Sequence, residues 1–373
     1  MQKKKVLFTN YSLDIGGIEK ALVNMVNNMD FSKYDVTILL QHKKGDFLKD
    51  VDKRVEIQGF NLSNNKNVLL RKAINMFKII FTILKNVNKY DFAACYGTGY
   101  KASSLVALYA SKNNATWMHS NIINYLKNKH KLEDEKLLHK KIDEFLRDIK
   151  FRKFNNYLFV SENAMNAYLS LYPEDKYKSY LCYNFVDYKK IIAMSKEKIN
   201  VKKNLKKINL VNVSRHTEYD KRITRIINAV DRLKDKYDLN LYLVGDGPDH
   251  NKFVDLVKEK GLEKCVKFLG SQANPYPYYL LGDVFVLSSA FEGFPTVYTE
   301  SLTLNIPIIT TDVSDAWTFI DKKYGIVCSN DDDSLISALD KFITSEFKIK
   351  KPFDAREFNN MSMKVIERLI DNE

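Results

Sequence analysis

The stretch VFVLSSAFEGFPTVYTE, residues 284–300, joins an apolar run to a tight turn and then to a helix-forming segment. The run VFVLSS lacks polar alternation, which is typical of a strand buried on both faces of a parallel sheet. Pro295 suits the first turn of a helix, so residues 296–303 are predicted to be helical. This strand, turn and helix form the repeating unit of an α/β fold.

The same unit recurs along both halves of the chain. Further apolar runs are predicted to be strands: KVLFTN, YDVTILL, DFAACYG, ATWMHS, NYLFVS and SYLCYN in the first half, and INLVNV, LNLYLV, VKFLG, PIITT and GIVCS in the second. Segments with helical periodicity follow them, as in residues 223–233, where apolar side chains share one face. We therefore predict two Rossmann-like domains, each with a parallel sheet.

A length of 373 residues exceeds one ordinary core, which also indicates two domains. We place the first at residues 1–190 and the second at residues 200–355, with the lysine-rich stretch 189–207 as the linker. The last segment, residues 358–373, has apolar side chains at helical spacing. It is predicted to be a helix that packs across either domain, including back on the first.

The cysteines and the amino terminus indicate a cytoplasmic protein. The four cysteines are far apart and have neither disulfide-framework nor zinc-ligand spacing, which fits reduced thiols. The apolar run behind the first lysines is too short for a signal peptide, and no run of about 20 apolar residues could span a bilayer. Peripheral attachment to the inner face of the cell membrane is the alternative to a freely cytoplasmic chain.

Positive charge is concentrated in the first half. Residues 1–200 carry 34 Lys and Arg against 20 Asp and Glu, and the remaining residues carry 25 against 26, so the net charges are +14 and −1. A basic half suits nucleic acid, anionic lipid or an acidic substrate, and dispersed surface charge explains it as well. The sequence has no helix-turn-helix, zinc-finger or RNA-binding motif, which argues against nucleic acid.

The segment VLLRKAINMFKIIFTILKNV, residues 68–87, combines an apolar stripe with basic residues. One helical face carries the apolar side chains Leu70, Ile74, Phe77, Phe81 and Leu84. We expect this face to pack on the helix's own sheet. The alternative is a helix on a membrane surface, where each lysine near anionic lipid contributes about 1 kcal/mol.

Polar residues follow several of the predicted strands, where ligands bind in open α/β sheets. Gly16 and Gly17 come after KVLFTN, the stretch SRHTEYDKR after INLVNV, and Gly245 after LNLYLV. Glycines at such turns let backbone N–H groups approach a phosphate, and helix amino termini favour negative charge. A tight turn explains a glycine pair equally well.

The two glutamates of EGFPTVYTE flank such a helix start. Free N–H groups are expected near Thr296 and Val297, with Glu292 in the loop and Glu300 one helical turn beyond Thr296. Carboxylates would repel a phosphate, so they must address sugar hydroxyls. The positive charge for a phosphate then has to come from Arg215 and Lys221. A nucleotide sugar satisfies these demands together.

These motifs resemble the retaining glycosyltransferases of family four, which have the GT-B fold of two Rossmann-like domains facing each other across a cleft. EGFPTVYTE is similar to their motif of two glutamates separated by seven residues, and SRHTEYDKR is similar to their Arg-Lys phosphate clamp. LVGDGP resembles their glycine turn, GGIEKAL their amino-terminal glycine loop and YNFVD their interdomain motif. The resemblance is densest over residues 207–345 and looser before residue 190, where such enzymes bind their varied acceptors.

The resemblance implies a role for each matching residue. Arg215 and Lys221 would hold the diphosphate and neutralise the leaving group, Glu300 would accept the ribose hydroxyls, and Glu292 would contact the transferred hexose. Because Arg215 and Lys221 are six positions apart where five is common, Arg222 is an alternative clamp; we favour Lys221. The remaining residues implied in donor binding are Gly16, Gly17, Gly245, Gly293, Phe294, Pro295, Thr296 and Val297.

His119, at the end of ATWMHS, resembles the family's histidine near the donor sugar, although a packed, hydrogen-bonded histidine is the equal alternative. No cofactor or metal is expected, because the family generally needs none. Asp331, Asp332 and Asp333 suit a metal less well than a helix-capping loop.

The resemblance predicts transfer with retention of a hexose or N-acetylhexosamine from a UDP-linked donor. The predicted acceptor is a bacterial surface glycan, such as a lipid-linked capsular or cell-wall saccharide, and peripheral contact with an anionic membrane would accompany it. Two alternatives remain: a catalytically silent GT-B partner subunit that binds glycan, and a GT-B sugar-nucleotide epimerase or phosphorylase.

Overall fold

A computed structural model describes residues 2–131 and 133–372. The chain forms two compact units. The first comprises the described residues up to Val186 and from Glu357 onward, and the second comprises Asp187–Arg356. Each unit is an α/β structure built on a single parallel sheet, so the predicted fold class is confirmed.

The first unit contains a seven-stranded parallel sheet in the order β3-β2-β1-β4-β5-β6-β7. Its strands are β1 (Lys4–Asn10), β2 (Tyr34–Leu40), β3 (Glu56–Gly59), β4 (Phe92–Cys95), β5 (Asn114–Met118), β6 (Asn156–Phe159) and β7 (Ser179–Leu181). The six strands predicted in this half are confirmed. β3 lies at the sheet edge and is partly exposed, and its polar composition explains why the apolar-run criterion missed it.

The second unit contains a six-stranded parallel sheet in the order β10-β9-β8-β11-β12-β13. Its strands are β8 (Ile208–Val213), β9 (Leu239–Val244), β10 (Val266–Phe268), β11 (Val284–Leu287), β12 (Ile308–Thr311) and β13 (Gly325–Cys328). All six were predicted from their apolar runs. The order places the ends of β9, β8 and β11 side by side, which brings the loops after these strands together.

The helices follow the strands in alternation. The first unit has α1 (Gly17–Asn27), α2 (Val68–Asn86), α3 (Lys101–Ala110), α4 (Ile122–His130), α5 (Glu135–Asp148) and α6 (Glu162–Leu169). The second has α7 (Tyr188–Met194), α8 (Glu218–Lys221), α9 (Ile223–Leu233), α10 (His250–Glu259), α11 (Tyr276–Tyr279), α12 (Thr296–Thr303), α13 (Ala316–Phe319) and α14 (Asp332–Ser345). A last helix, α15, spans Ala355–Asp371.

The expectation that the apolar stripe of α2 packs on its own sheet is wrong. Phe77 is 76% exposed, Leu84 71% and Phe81 63%. The helix packs instead through the opposite side, where Ile79 and Ile83 contact a core cluster of the first unit. The buried Thr82 and Asn86 also lie on that side.

Local hydrogen bonds make this orientation possible. Thr82 Oγ1 donates to the carbonyl of Lys78 at 2.7 Å, and Asn86 Nδ2 donates to the carbonyl of Thr82 at 2.8 Å. Polar side chains that donate to carbonyls of their own helix can be buried with those donors satisfied. Hydrophobic periodicity therefore identified the apolar stripe correctly but not the side of the helix that faces the core.

The predicted linker, residues 189–207, is partly helical. Its first residues belong to α7, which contacts α11 and α12 of the second unit. Ile191 is buried there, and Asn274 Nδ2 donates to the carbonyl of Met194 at 2.9 Å. The many lysines of this stretch masked the short apolar face that fixes α7 to the second unit.

The terminal helix α15 packs on the first unit, one of the two positions considered for it. Asn359 exchanges two hydrogen bonds with the backbone of Val186, at 3.0 and 2.8 Å. Asn113 Nδ2 donates to the carbonyl of Leu369 at 2.6 Å, and Lys4 pairs with Asp371 at 2.7 Å. Residues from the start, middle and end of the chain thus share this unit.

Gly325, at the start of β13, tests the close packing of the second sheet. A Cβ atom there would lie 1.7 Å from the carbonyl oxygen of Ile308 on β12. We expect Gly325→Ala to destabilise the second unit by about 2 kcal/mol or more, because backbone must move to admit the methyl group. Thermal and urea unfolding measure this change.

Gly17→Ala is the matched control. No described atom lies within 4 Å of the position of its Cβ atom, and the residue begins α1. Alanine is the better helix former, so stability should be unchanged or slightly higher. Equal unfolding midpoints for Gly325→Ala and the wild type would contradict the close contact between β12 and β13.

Candidate active site

The predicted donor-binding residues of the second unit lie in loops at the carboxyl ends of neighbouring strands. Hydrogen bonds connect the loop after β8 with the loop after β11. Ser288 Oγ donates to the carbonyl of Lys221 at 2.9 Å, and the amide of Ala290 donates to the carbonyl of Asp220 at 2.8 Å. These bonds hold the two loops together as one polar surface.

Lys221 and Glu292 form an ion pair between these loops. Lys221 Nζ lies 2.5 Å from Glu292 Oε1, and the side chains are only 20% and 15% exposed. Ser289 Oγ donates a further hydrogen bond to Glu292 Oε1 at 2.8 Å. Two residues implied in different roles by the sequence are therefore in direct contact, and each orients the other.

Arg222, the alternative clamp, points elsewhere. It adopts a left-handed backbone conformation with φ of 49°, and its guanidinium lies 3.9 Å from Glu218. Its Nε atom is buried and has no hydrogen-bond partner among the described residues. The geometry therefore favours Lys221 over Arg222 as the cation of the site.

Arg215 is far more exposed than Lys221. Its side chain is 68% exposed, and its Nη2 atom lies 3.5 Å from Asp220 Oδ2. Asp220 also accepts a hydrogen bond from the hydroxyl of Thr217. An exposed guanidinium with one distant acidic neighbour retains most of its capacity to bind an anion.

Gly245 has a structural requirement of its own. Its φ of +137° is rare for other residues, and a Cβ atom would lie 1.9 Å from the carbonyl oxygen of Ser214. The loops after β8 and β9 can approach this closely only because residue 245 is glycine. This packing explains the glycine without a ligand, and the predicted contact with the donor remains a prediction.

The turn from Gly293 to Pro295 leads directly into α12. The carbonyl of Gly293 accepts a hydrogen bond from Ser314 Oγ, and Phe294 packs edge-on against Phe319 with 5.3 Å between ring centroids. Pro295 precedes the first helical residue instead of lying within the first turn as predicted. Its fixed φ still suits the entry into the helix.

The helix α12 spans the predicted residues and begins at Thr296. Thr296 and Val297 are its first two residues, so their N–H groups lie at the end of the helix that favours negative charge. Both residues are partly exposed.

Glu300 is buried, with only 5% of its surface exposed. Its Oε2 atom accepts a hydrogen bond from the hydroxyl of Tyr279 at 2.8 Å. Burial, and next the neighbouring carboxylate, raise the pKa of Tyr279 well above its ordinary value, so the phenol stays protonated and donates. Tyr279 thus fixes the orientation of Glu300, and little of the carboxylate meets solvent.

Three residues of this site were not predicted from the sequence: Asp220, Tyr279 and Ser289. Ser289 ends the run VFVLSS, so its position at a strand end could have identified it as a site residue. Tyr279 lies in α11, twenty-one positions before its partner. The contact between α11 and α12 is visible only in the folded structure, where Tyr279 reaches Glu300.

Asp331 confirms the capping interpretation of the acidic triplet. It precedes α14, and its Oδ1 atom accepts a hydrogen bond from the amide of Ser334 at 2.8 Å. Asp332 pairs with Arg225 at 3.2 Å.

Gly16 and Gly17 lie at the start of α1 in the first unit. Gly16 has an extended backbone, and a Cβ atom there would meet the flexible carboxylate of Glu19 at 2.2 Å. The described residues leave open space around the Cβ position of Gly17. The packing of the first unit therefore does not require glycine at position 17, which is compatible with the predicted approach of a ligand.

His119, also in the first unit, follows β5. Its Nε2 atom lies 2.7 Å from the carbonyl oxygen of Tyr96 and so carries the proton. Its Nδ1 atom is buried and has no hydrogen-bond partner among the described residues. Burial lowers the pKa of His119 to about 4, so the ring is neutral at pH 7 and presents a lone pair at Nδ1.

Solved structures of glycosyltransferases share this architecture over nearly the whole chain. A lipopolysaccharide outer core galactosyltransferase aligns with a TM-score of 0.69 and 20% identity, covering 98% of this chain and 99% of that one. An Anabaena protein solved in complex with UDP-glucose aligns with a TM-score of 0.70 and 14% identity, covering 98% and 99%. These likenesses establish the GT-B fold.

A family model matches part of the chain. Residues 194–358 match the family described as Glycosyl transferases group 1. This match confirms the resemblance indicated by the motifs. It covers Arg215, Lys221, Glu292 and Glu300.

Curated relatives match shorter segments. A Campylobacter jejuni enzyme, N-acetylgalactosamine-N,N'-diacetylbacillosaminyl-diphospho-undecaprenol 4-alpha-N-acetylgalactosaminyltransferase, is 27% identical over 214 residues, 57% of each chain. An uncharacterized glycosyltransferase of Methanocaldococcus jannaschii is 37% identical over 103 residues, 27% of this chain and 25% of the relative. The chain thus spans about half, or less, of the length of these relatives.

The neutral state of His119 has a consequence for stability at acidic pH. Its pKa is lower in the folded chain than the ordinary value of 6.5, so the unfolded chain binds the extra proton more readily between these values. Stability is therefore lost as the pH falls from about 6.5 to about 4, with a slope of roughly 1 kcal/mol per pH unit from this residue.

His119→Gln removes this titration while retaining a donor for the carbonyl of Tyr96. We expect a shallower loss of stability between pH 6.5 and 4 than in the wild type, measured by urea unfolding at several pH values. His130→Gln, at an exposed position, is the control. Parallel pH profiles for wild type and His119→Gln would show that His119 is not held neutral by burial.

Proposed function

We propose that the chain transfers a hexose or N-acetylhexosamine from a UDP-linked donor to a bacterial surface glycan, with retention of the anomeric configuration. The observation that carries this proposal is the contact between Lys221 and Glu292 at the sheet edge beside the start of α12. Because the two side chains touch, Lys221 can bind the diphosphate while the neighbouring carboxylate of Glu292 binds the sugar.

In this proposal the side chains of the site have complementary tasks. Arg215 and Lys221 neutralise the negative charge that develops on the departing diphosphate, with the amino end of α12 contributing its N–H groups. Glu292 accepts hydrogen bonds from hydroxyls of the transferred sugar, and Glu300, oriented by Tyr279, accepts those of the ribose. Because two side-chain cations address the leaving group, this scheme requires no metal ion.

The proposal of retention rests on the resemblance to family four. The acceptor hydroxyl would attack on the face that the diphosphate leaves, and the departing phosphate would take its proton. A second catalytic carboxylate is then unnecessary. The resemblance also implies contacts with the donor for His119 and for the turn at Gly16 and Gly17.

The relatives support the choice of donor and acceptor. The Anabaena structures hold UDP, or UDP-glucose, and the name of the Campylobacter enzyme specifies an acceptor on diphospho-undecaprenol. Within the described residues, no helix has the length and apolar character needed to cross a bilayer. A lipid-linked acceptor would then be reached from the membrane surface.

The exposed stripe of α2 suits contact with an anionic membrane. The helix VLLRKAINMFKIIFTILKN contains four Lys or Arg residues and no Asp or Glu. Large apolar side chains face outward along most of its length, and the exposed set comprises Val68, Leu69, Leu70, Met76, Phe77, Ile80, Phe81 and Leu84. Apolar contact plus attraction to anionic lipid defines an interfacial helix.

Donor chemistry is tested with purified protein and a panel of UDP-sugars. A bound donor should raise the unfolding temperature, and slow release of UDP in the absence of acceptor should report turnover.

Glu292→Gln and Lys221→Ala should fold but lose about a hundredfold or more in turnover, because each removes a group that acts on the transition state. NMR of the product measures the anomeric configuration.

The control variants are Lys236→Ala and Asp340→Asn, which break an ion pair of 2.6 Å elsewhere in the second unit and should retain activity. Full turnover in Glu292→Gln or Lys221→Ala would remove that residue from its proposed role. Donor binding without turnover would favour the silent partner subunit, and interconversion of free nucleotide sugars would favour the epimerase.

Membrane contact is tested by flotation with vesicles of phosphatidylglycerol and phosphatidylethanolamine. The triple variant Phe77→Ser, Phe81→Ser, Leu84→Ser should lower the bound fraction at least tenfold, because three exposed apolar side chains no longer enter the interface. Leu205→Ser, which changes an apolar residue 88% exposed in the second unit, should bind like the wild type. Equal binding of the triple variant would exclude α2 as the contact.

A further inference from the structure

Three metal-ligating side chains meet beside the turn after β9. His216 Nδ1 lies 2.9 Å from His250 Nδ1, and His250 Nδ1 lies 3.8 Å from Asp246 Oδ1. One ligand atom from each residue lies within 4.8 Å of the other two. His216 comes from the loop after β8, Asp246 from the turn after β9 and His250 from the first turn of α10.

The separation of the two imidazoles suits a shared ion. Two ligand nitrogen atoms each lie about 2.0–2.1 Å from a bound zinc ion. If the N–Zn–N angle lies between the square-planar and the tetrahedral value, the two nitrogen atoms are roughly 2.9–3.4 Å apart. The observed 2.9 Å between the Nδ1 atoms falls in that range. The rings are almost parallel, at 5°, with centroids 5.1 Å apart, so the two Nδ1 atoms point toward each other in a hydrogen bond, which a metal ion would replace.

The backbone holds these residues in place before any ion binds. The amide of His216 donates to the carbonyl of Asp246 at 2.9 Å, and the amide of His250 donates to the carbonyl of Gly247 at 3.1 Å. A Cβ atom at Gly247 would lie 2.5 Å from the carbonyl oxygen of His216. Glycine at position 247 therefore permits the contact between the two loops.

Apolar neighbours fix the orientation of His216. The residue is fully buried, and Phe253 and Phe268 pack edge-on against its ring. Its Nε2 atom is buried and makes no hydrogen bond to the described residues. Nδ1 is thus the nitrogen that faces the other polar groups of the cluster.

We propose that His216, Asp246 and His250 bind a divalent transition-metal ion of the zinc class. Two imidazole ligands favour zinc, cobalt, nickel or copper over magnesium or calcium. Asp246 is exposed, and its side chain retains 62% of its accessible surface, so water can complete the coordination. The ion would connect the loop that carries Arg215 to the turn that contains Gly245. Because Arg215 and Lys221 already address the leaving group, this ion would act on loop order and not as a catalyst.

Cobalt provides a direct test with tag-free, metal-stripped full-length protein. We expect Co²⁺ to bind with a stoichiometry of one and to produce visible d–d absorption that Zn²⁺ abolishes by displacement. Zn²⁺ should also raise the unfolding temperature, since it binds the folded chain preferentially, whereas Mg²⁺ should not. The absence of d–d absorption at millimolar Co²⁺ would overturn the proposal and leave a histidine–histidine hydrogen bond.

His250→Gln and Asp246→Asn locate the site. Both positions are partly or fully exposed, so folding should persist, and the unfolding temperature without metal checks this. We expect at least a tenfold loss of cobalt affinity in each variant. The controls His130→Gln and Asp255→Asn change exposed residues elsewhere and should bind like the wild type. Unchanged affinity in His250→Gln would also overturn the proposal, and neither result depends on glycosyltransferase activity.

Discussion

Burial of both faces of each sheet is the constraint on which the position of the site depends. All six residues of β9 are buried, so unpaired polar groups are confined to the loops that follow the strand ends. A polar side chain within a strand is tolerated when it is paired. Asn212 of β8 donates to the carbonyl of Val286 on β11 at 2.8 Å and accepts from Ser214 Oγ at 2.6 Å. The same requirement for pairing draws the strand-end loops together.

The ion pair at these strand ends leaves the site nearly neutral until a ligand arrives. Lys221 is matched by Glu292 at 2.5 Å, and the more exposed guanidinium of Arg215 lies 3.5 Å from Asp220. A diphosphate that approached would compete with Glu292 for Lys221. The hydrogen bond from Ser289 keeps the carboxylate in position during such an exchange. Positioning and charge neutralisation are thus shared among side chains from two loops.

The sequence was informative wherever one type of residue dominated a segment. Twelve strands were predictable because buried parallel strands are apolar throughout, and β3 was not, because an exposed edge tolerates Glu56 and Gln58. The apolar stripe of α2 was visible from the helical spacing of its apolar residues, but this spacing does not show which side of the helix faces the core. Tyr279 was not predictable, because its contact with Glu300 is a product of helix packing and follows no local pattern.

The chain passes between its two units twice, after Val186 and after Arg356. The first unit is therefore discontinuous in the gene, and its last piece is the part of α15 that bonds to Val186, Asn113 and Lys4. A fragment that stopped at residue 186 would leave the side chains beneath that helix uncovered. Exchange of the whole first unit for that of another chain must accordingly transfer two separate coding segments, and the shorter one encodes most of the final helix.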